Sequence, residues 1–278
     1  MFADRNLLIV TKHKKERVIK PILESMLGVK CVTDNNFDTD VLGTFSGEVE
    51  RKDDPVTTVR NKCLMAMEAG NYDLAVASEG SFGAHPSIYF VPANDEILIF
   101  IDKKNNLEII ARNLSTETNF NAAVVSNFKQ LKDFADTAGF PSHGLIIKKS
   151  EYDFTGIIKG ITDWETLNST FKKFIDSYQS AYIETDMRAM HNPTRMETIK
   201  QATLNLVAKI KSTCPQCETS GFDVVAVNKG LPCQLCGLPT QSTLSYTYTC
   251  AKCKYSKQEM YPNKKIVEDP MYCDYCNP

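Results

Sequence analysis

Apolar residues alternate between two rhythms along the first half of this chain. Short continuous runs, typical of strands buried on both faces, occur at Leu7–Thr11, Val29–Thr33 and Leu74–Ala77. Between the first two, Val18, Ile19, Ile22, Leu23, Met26 and Leu27 recur at helical spacing and Gly28 closes the helix. Pro21 inside that pattern predicts a kink or a late start. Asp54-Pro55 is a helix start, with Asp as N-cap and Pro at the first helical position, and this helix ends at Gly70. The strand at 74–77 is expected to stop at Ser78-Glu79-Gly80. The pattern then turns antiparallel, with strands at Ile88–Val91, Glu96–Asp102 and Leu107–Leu114, the last two joined by the turn Lys103–Asn106. Val124–Ala138 reads as a helix closed by Gly139, and Leu145–Lys148 as a strand. A helix capped by Asp163 runs to about Gln179. A last helix, capped by Asn192, buries Ile199, Ala202, Leu206, Val207 and Ile210. The prediction is a three-layer α/β domain with a mixed sheet over residues 1–212.

Beyond that helix the rhythm ends and cysteines take over. Eight of the ten cysteines form four CxxC pairs: Cys214/Cys217, Cys233/Cys236, Cys250/Cys253 and Cys273/Cys276. Two residues between cysteines let both thiolates and the intervening amides curl around one ion. Two such knuckles make a closed tetrahedral site, so four predict two zinc ions held by residues 213–278 as a zinc-ribbon domain. The pairs could combine sequentially, first with second and third with fourth, or interleaved, first with third and second with fourth. Strand-like runs at Val224–Val227 and Leu244–Thr249, the kind that join opposed knuckles in a ribbon, tilt towards the interleaved pairing. Sites of four thiolates have no open coordination position, so these metals are expected to hold the fold and do no chemistry. The segment has few large aliphatics and cannot build a core unaided, so metal ligation there is folding free energy.

Charge narrows the partners. Residues 214–278 carry six Lys, no Arg and six Asp or Glu, and each zinc with four thiolates adds about two negative charges. Such a module lacks the basic face that phosphate backbones require, so a scaffold or protein-contact role is favoured over nucleic acid. The whole chain, at 278 residues with 42% apolar and 24% charged residues and a net charge of −2, gives no sign of bulk attraction to DNA or membrane. Its longest aliphatic stretches, such as Ile97–Ile101, fall far short of a membrane span. The opening residues show no targeting signal, and thiols in such number suit a reducing compartment, so a cytoplasmic location is expected. Cys31 in a strand and Cys63 on an apolar helix face are expected to be reduced, buried and unligated.

Three polar clusters stand where α/β folds place their sites, at strand ends and helix starts. In Thr11-Lys12-His13-Lys14-Lys15, lysines oppose the dipole at a helix N-terminus, a conflict that a bound anion removes. Ser78-Glu79-Gly80 offers a carboxylate at the end of a buried strand, suited to magnesium or to general base work. Arg188 and Arg195 stand near the start of the last helix and suit phosphate. Asp38, Asp40, Glu48, Glu50, Asp53 and Asp54 form an acidic stretch expected to be an exposed loop. Ser142-His143 shows no nucleophilic partner for hydrolase chemistry.

In order, these clusters resemble the inosine/xanthosine triphosphatase family, pyrophosphohydrolases that remove non-standard purine nucleoside triphosphates. That family opens with a strand and Thr-Asn-x-x-Lys, matched by Thr11 and Lys15, with Lys12 in place of Asn. An acidic residue ahead of an Arg-Asn-Arg-like helix is matched by Asp54 before Arg60-Asn61-Lys62. A strand ending Val-x-x-Glu-Gly-Gly is similar to Val76-Ala77-Ser78-Glu79-Gly80, and a distal Thr-Arg stretch to Thr185, Arg188 and Thr194-Arg195. The resemblance covers roughly 6–125 and 184–210. The chain is also similar to a bacterial family of unknown function that joins such a domain to a Cys-rich tail. The resemblance implies magnesium-dependent hydrolysis of a nucleoside triphosphate. Glu79 and Asp54 would be catalytic, and Thr11, Lys15, Lys62, Arg188 and Arg195 would bind the substrate. Because each sits at a strand end or helix start, Thr11, Lys15, Glu79, Lys62 and Arg195 are expected to converge on one cleft. The competing expectation is a nucleotide-sensing module that reports to a protein partner through the zinc domain.

Overall fold

The computed structural model describes residues 1–33 and 53–278. Two compact units emerge, Met1–Val207 and Ala208–Pro278, so the boundary falls inside the last long helix.

The first unit holds two sheets. One has five strands in the order β2-β1-β3-β4-β5: β1 (Asn6–Val10), β2 (Lys30–Val32), β3 (Leu74–Ala84), β4 (Pro92–Asp102) and β5 (Leu107–Ser115). β1 is parallel to β2 and β3, whereas β3, β4 and β5 form an antiparallel meander. The other has four strands in the order β6-β9-β7-β8: β6 (Ala122–Val125), β7 (Leu145–Lys148), β8 (Ile158–Ile161) and β9 (Ala181–Thr185). The helices are α1 (Glu16–Leu27), α2 (Pro55–Ala69), α3 (Phe128–Ala138), α4 (Trp164–Tyr178) and α5 (Pro193–Lys211).

Each sheet has its own core. Val59, Cys63, Ala66 and Met67 of α2 pack on Leu8, Val10, Ala75, Ala77, Ile97, Ile99 and Ile101. These strand positions alternate, so one face of the first sheet is read directly from the odd residues of β3 and β4. The second core joins Leu131, Phe134 and Ala135 of α3 and Leu167, Phe171 and Phe174 of α4 to Leu145, Ile147 and Ile183. Helix ends follow local chemistry. Gly28 and Gly139 adopt left-handed C-caps at φ 69° and 81°. Asp54 accepts from the amides of Val56 and Thr57, and Asp163 from Thr166. Pro21 lies in the second turn of α1, which is a single helix.

Several expectations are corrected. The strand beginning at Leu74 runs on to Ala84, through Ser78-Glu79-Gly80, because β4 pairs with it along its whole length. Ile88–Val91 is no strand. It belongs to the hairpin tip, where the His85 ring accepts from the amides of Ser87 and Ile88. α3 starts at Phe128 with Asn127 as cap, and the apolar residues before it form β6 against β9. Asp38, Asp40, Glu48 and Glu50 lie outside the described residues.

The second unit is a three-stranded antiparallel sheet, β10 (Asp223–Lys229), β11 (Thr243–Thr249) and β12 (Ser256–Met260). β12 escapes a sequence reading because its residues, Ser-Lys-Gln-Glu-Met, are all exposed and show no apolar alternation. No helix among the described residues is long and apolar enough to cross a membrane.

Candidate functional site

The cysteines gather in two groups of four, Cys214/Cys217/Cys250/Cys253 and Cys233/Cys236/Cys273/Cys276, which is the interleaved pairing. Sγ–Sγ separations across each group are 3.6 Å (Cys214–Cys253 and Cys217–Cys250), 3.8 Å (Cys233–Cys276) and 3.7 Å (Cys236–Cys273). A disulfide needs about 2.05 Å. A tetrahedron with metal–sulfur bonds of about 2.3 Å has an edge of about 3.8 Å, so these sulfurs are spaced for a metal such as zinc. Local chemistry supplies the preorganisation. The Cys214 sulfur accepts from the Gln216 amide and the Cys233 sulfur from the Leu235 amide. Hydrogen bonding at Thr219 pulls the Cys217 thiol down to about 6. Cys236, with burial and the other sulfurs, pushes Cys276 up to about 12. Four thiolates cannot share so small a volume without a cation, and a divalent ion removes that conflict. The first group is backed by Phe222, whose ring stacks on Tyr248 at 5.6 Å and lies 5.9 Å from Tyr255.

In the first unit, charged side chains collect where β3 and β4 run beyond the end of β1. The β1–α1 turn, with Lys14 at φ 59°, delivers Lys15 to this point. Lys15 is 5% exposed, donates to the Ser78 hydroxyl at 2.9 Å and stands 4.0 Å from Glu96. Burial, aided by the charge of Arg195, lowers its pKa to about 7 against the pull of Glu96 and Glu79. Lys62, on α2, pairs with Glu79 at 2.5 Å. Arg195, on the first turn of α5, pairs with Glu96 through Nε at 2.6 Å and donates to the Met187 carbonyl. Its guanidinium lies 5.1 Å from the centre of the Phe82 ring. Glu79 and Glu96 are buried, and Arg195 is 1% exposed.

Strand alternation assigns these groups to faces. Glu79 continues the series Ala75, Ala77 towards α2, while Glu96 sits opposite Gly80 and faces the other way, towards α5. Gly80 makes the second arrangement possible, since a Cβ there would strike the Glu96 carboxylate and the Arg195 guanidinium. Among the described residues, Thr11 Oγ1 and Glu96 Oε2 are buried with no hydrogen-bond partner.

Thus Lys62–Glu79 and Arg195–Glu96 stand on opposite sides of the sheet, and Lys15, which feels the charge of all four, links them, with Thr11 on the turn leading to Lys15. Arg188 is held by two-pronged contacts to Asp186 at 2.6 and 3.0 Å. Asp54 is spent as the cap of α2, where the Thr57 hydroxyl and then the amides of Thr57 and Val56 hold its carboxyl below the usual range. Glu96 was not a sequence candidate. A carboxylate heading the apolar run Ile97–Ile101 is the signal that could have found it. His143 bridges Ser142 and Thr194 hydroxyls at 3.1 and 2.9 Å, and Ser142 itself donates to the Gly139 carbonyl.

No curated protein matches this chain. Among solved structures, protein VC0702 from Vibrio cholerae matches over 74% of this chain and 94% of that chain, at 9% identity and a TM-score of 0.34. A family model described as a domain of unknown function, DUF6671, matches residues 62–278, from the middle of α2 through both cysteine groups, and the chain belongs to that family.

Proposed function

We propose that residues Met1–Val207 bind a nucleotide-type phosphoanhydride and hydrolyse it with magnesium, while the cysteine-rich unit carries two structural zinc ions. One observation carries the first part. Three cations (Lys15, Lys62, Arg195) and two carboxylates (Glu79, Glu96) meet at one end of the β3–β4 hairpin, so positive charge is in excess among the described groups. That surplus in a buried place suits an anion, and Lys15 regains full protonation beside one. A phosphate oxygen would replace Glu79 and Glu96 as partner of the lysines and the arginine. Glu96, so released, is of the kind that magnesium takes alongside substrate phosphates, and its Oε2, which has no hydrogen bond and only the 4.0 Å ion pair with Lys15, fits this role. Bound magnesium would polarise the phosphoryl group. The resemblance to inosine/xanthosine triphosphatases supports the same reaction class.

The roles then divide by chemistry. Lys15, Lys62 and Arg195 neutralise charge developing on phosphate oxygens. Glu79, relieved of Lys62, can accept a proton from attacking water. Pyrophosphate release from a panel of nucleoside triphosphates with magnesium tests this, and Glu79→Gln should abolish it. Phosphate binding without release in any member of the panel would leave a nucleotide-sensing module. The observation that favours that second reading is that Glu79 and Glu96 are each paired with a cation, Lys62 and Arg195.

A further inference from the structure

A cavity of about 420 Å³ opens beside β7 and β9 in the first unit, a size ordinary for a small-molecule site. Its walls include the rings of Phe120, Tyr152, Phe154 and Tyr182, and its polar floor is the pair Lys148–Glu184. We infer that this cavity takes a planar nitrogen heteroaromatic ring bearing an exocyclic amino group, with Glu184 accepting a hydrogen bond from that group.

The polar atoms decide the class. Lys148 is buried, with its ammonium 3.1 Å from one Glu184 oxygen and 4.9 and 5.1 Å from the centres of the Phe154 and Tyr182 rings. Its charge is therefore already met by Glu184 and by the faces of two of the wall rings. Asp186 is also committed, accepting from the Arg188 side chain and from the amides of Arg188 and Gly160. Glu184 differs. Its side chain is 19% exposed, and among the described residues its second oxygen has no hydrogen-bond donor. The cavity thus offers a flat aromatic slot with a carboxylate acceptor at its base. Aromatic walls stack on any π-face, but that oxygen calls for a donor on the ring edge, such as an amino group, and a ring carbonyl in the same place meets repulsion. Burial raises the Glu184 pKa, opposed by the hydrogen bond and charge of Lys148 and by the charge of Lys159.

Position links the cavity to the charged cluster. Met187 lines the cavity and its carbonyl accepts from Arg195, while the Phe120 ring lies 5.7 Å from Phe82, beneath the same guanidinium. A base in the cavity would therefore have its phosphates beside Arg195. The inference deepens the proposed nucleotide reading by naming the base, yet it stands on separate residues.

Guanosine and inosine differ only in the exocyclic amino group and carry no phosphate, so they isolate the claim. Calorimetric titration of the full-length, zinc-loaded protein should show guanosine binding about tenfold tighter, as one hydrogen bond to a charged acceptor predicts. Glu184→Gln should bring the two ligands to near equality. Tyr152→Ala, at an 81% exposed position that folding tolerates, should weaken both and keep their ratio. If Glu184→Gln fails to fold, the wild-type ratio and Tyr152→Ala still decide. Equal or tighter binding of inosine overturns the inference, as does no binding of either at millimolar concentration. Displacement of guanosine by tetramethylammonium would make the cavity a cation cage and also overturn it. Guanosine preference without triphosphate hydrolysis removes the hydrolase reading alone, and hydrolysis without that preference removes this inference alone.

Discussion

Lys15→Met should stabilise the protein at neutral pH, against the usual result of deleting a buried, hydrogen-bonded side chain. The Lys15 ammonium enters a site where burial lowers its pKa from 10.5 to about 7. At about 1.36 kcal/mol per unit, holding it there costs about 5 kcal/mol at or below pH 7. The folded-state value lies below the unfolded one, so between pH 7 and 10.5 the unfolded chain binds more protons and stability rises with pH. Methionine keeps the apolar stem and removes the charge. It forfeits the bond to Ser78 and leaves that hydroxyl buried, about 2 kcal/mol together. The variant should therefore be about 3 kcal/mol more stable at pH 7, and the gain should vanish by about pH 9.5. Urea unfolding followed by tryptophan fluorescence reads this out for the first unit. Trp164 is the one tryptophan of the chain, and it packs edge-on against Phe140 at 4.9 Å. A variant less stable at pH 7, or a difference that does not shrink with rising pH, would refute the reasoning.

Metal analysis of the purified protein should find two zinc equivalents. Cys250→Ser should lower this to one and leave the Trp164 unfolding transition in place, since Cys250 belongs to one group in the other unit. Gly80→Ala should cost about 3 kcal/mol or more in the same urea assay, because its methyl group breaks a buried ion pair. Cys31 and Cys63, whose thiols burial pushes up to about 12, should resist a thiol reagent in the native protein and react on unfolding, as mass spectrometry would show.

The sequence was most legible where local chemistry decides structure. Helix caps at Asp54, Asp163, Gly28 and Gly139 are set by residues in contact along the chain, and the knuckles by spacing alone. Strands β6, β8 and β9 were missed because none is buried along its length as β1 and β7 are, so none shows the same continuous burial. Ile88–Val91 misled for the opposite reason, since an apolar run at a hairpin tip has no neighbour to pair with. The same logic hid Glu96, which is recognisable only once pairing brings it opposite Gly80. Lys148 and Glu184 were likewise unreadable before β7 and β9 lay side by side.

The β3–β4 hairpin distributes its charges by parity. Glu79 serves one side of the sheet, and Ser78, Gly80 and Glu96 the other. Inserting or deleting one residue in either stem would exchange the sides, turning Glu79 away from Lys62 and presenting Ile97 to Arg195. Length changes at the tip, between Ala84 and Pro92, leave the register of both stems intact. Chains descended from a common ancestor should therefore vary in length at that tip while keeping the number of residues from Leu74 to Ala84 and from Pro92 to Asp102.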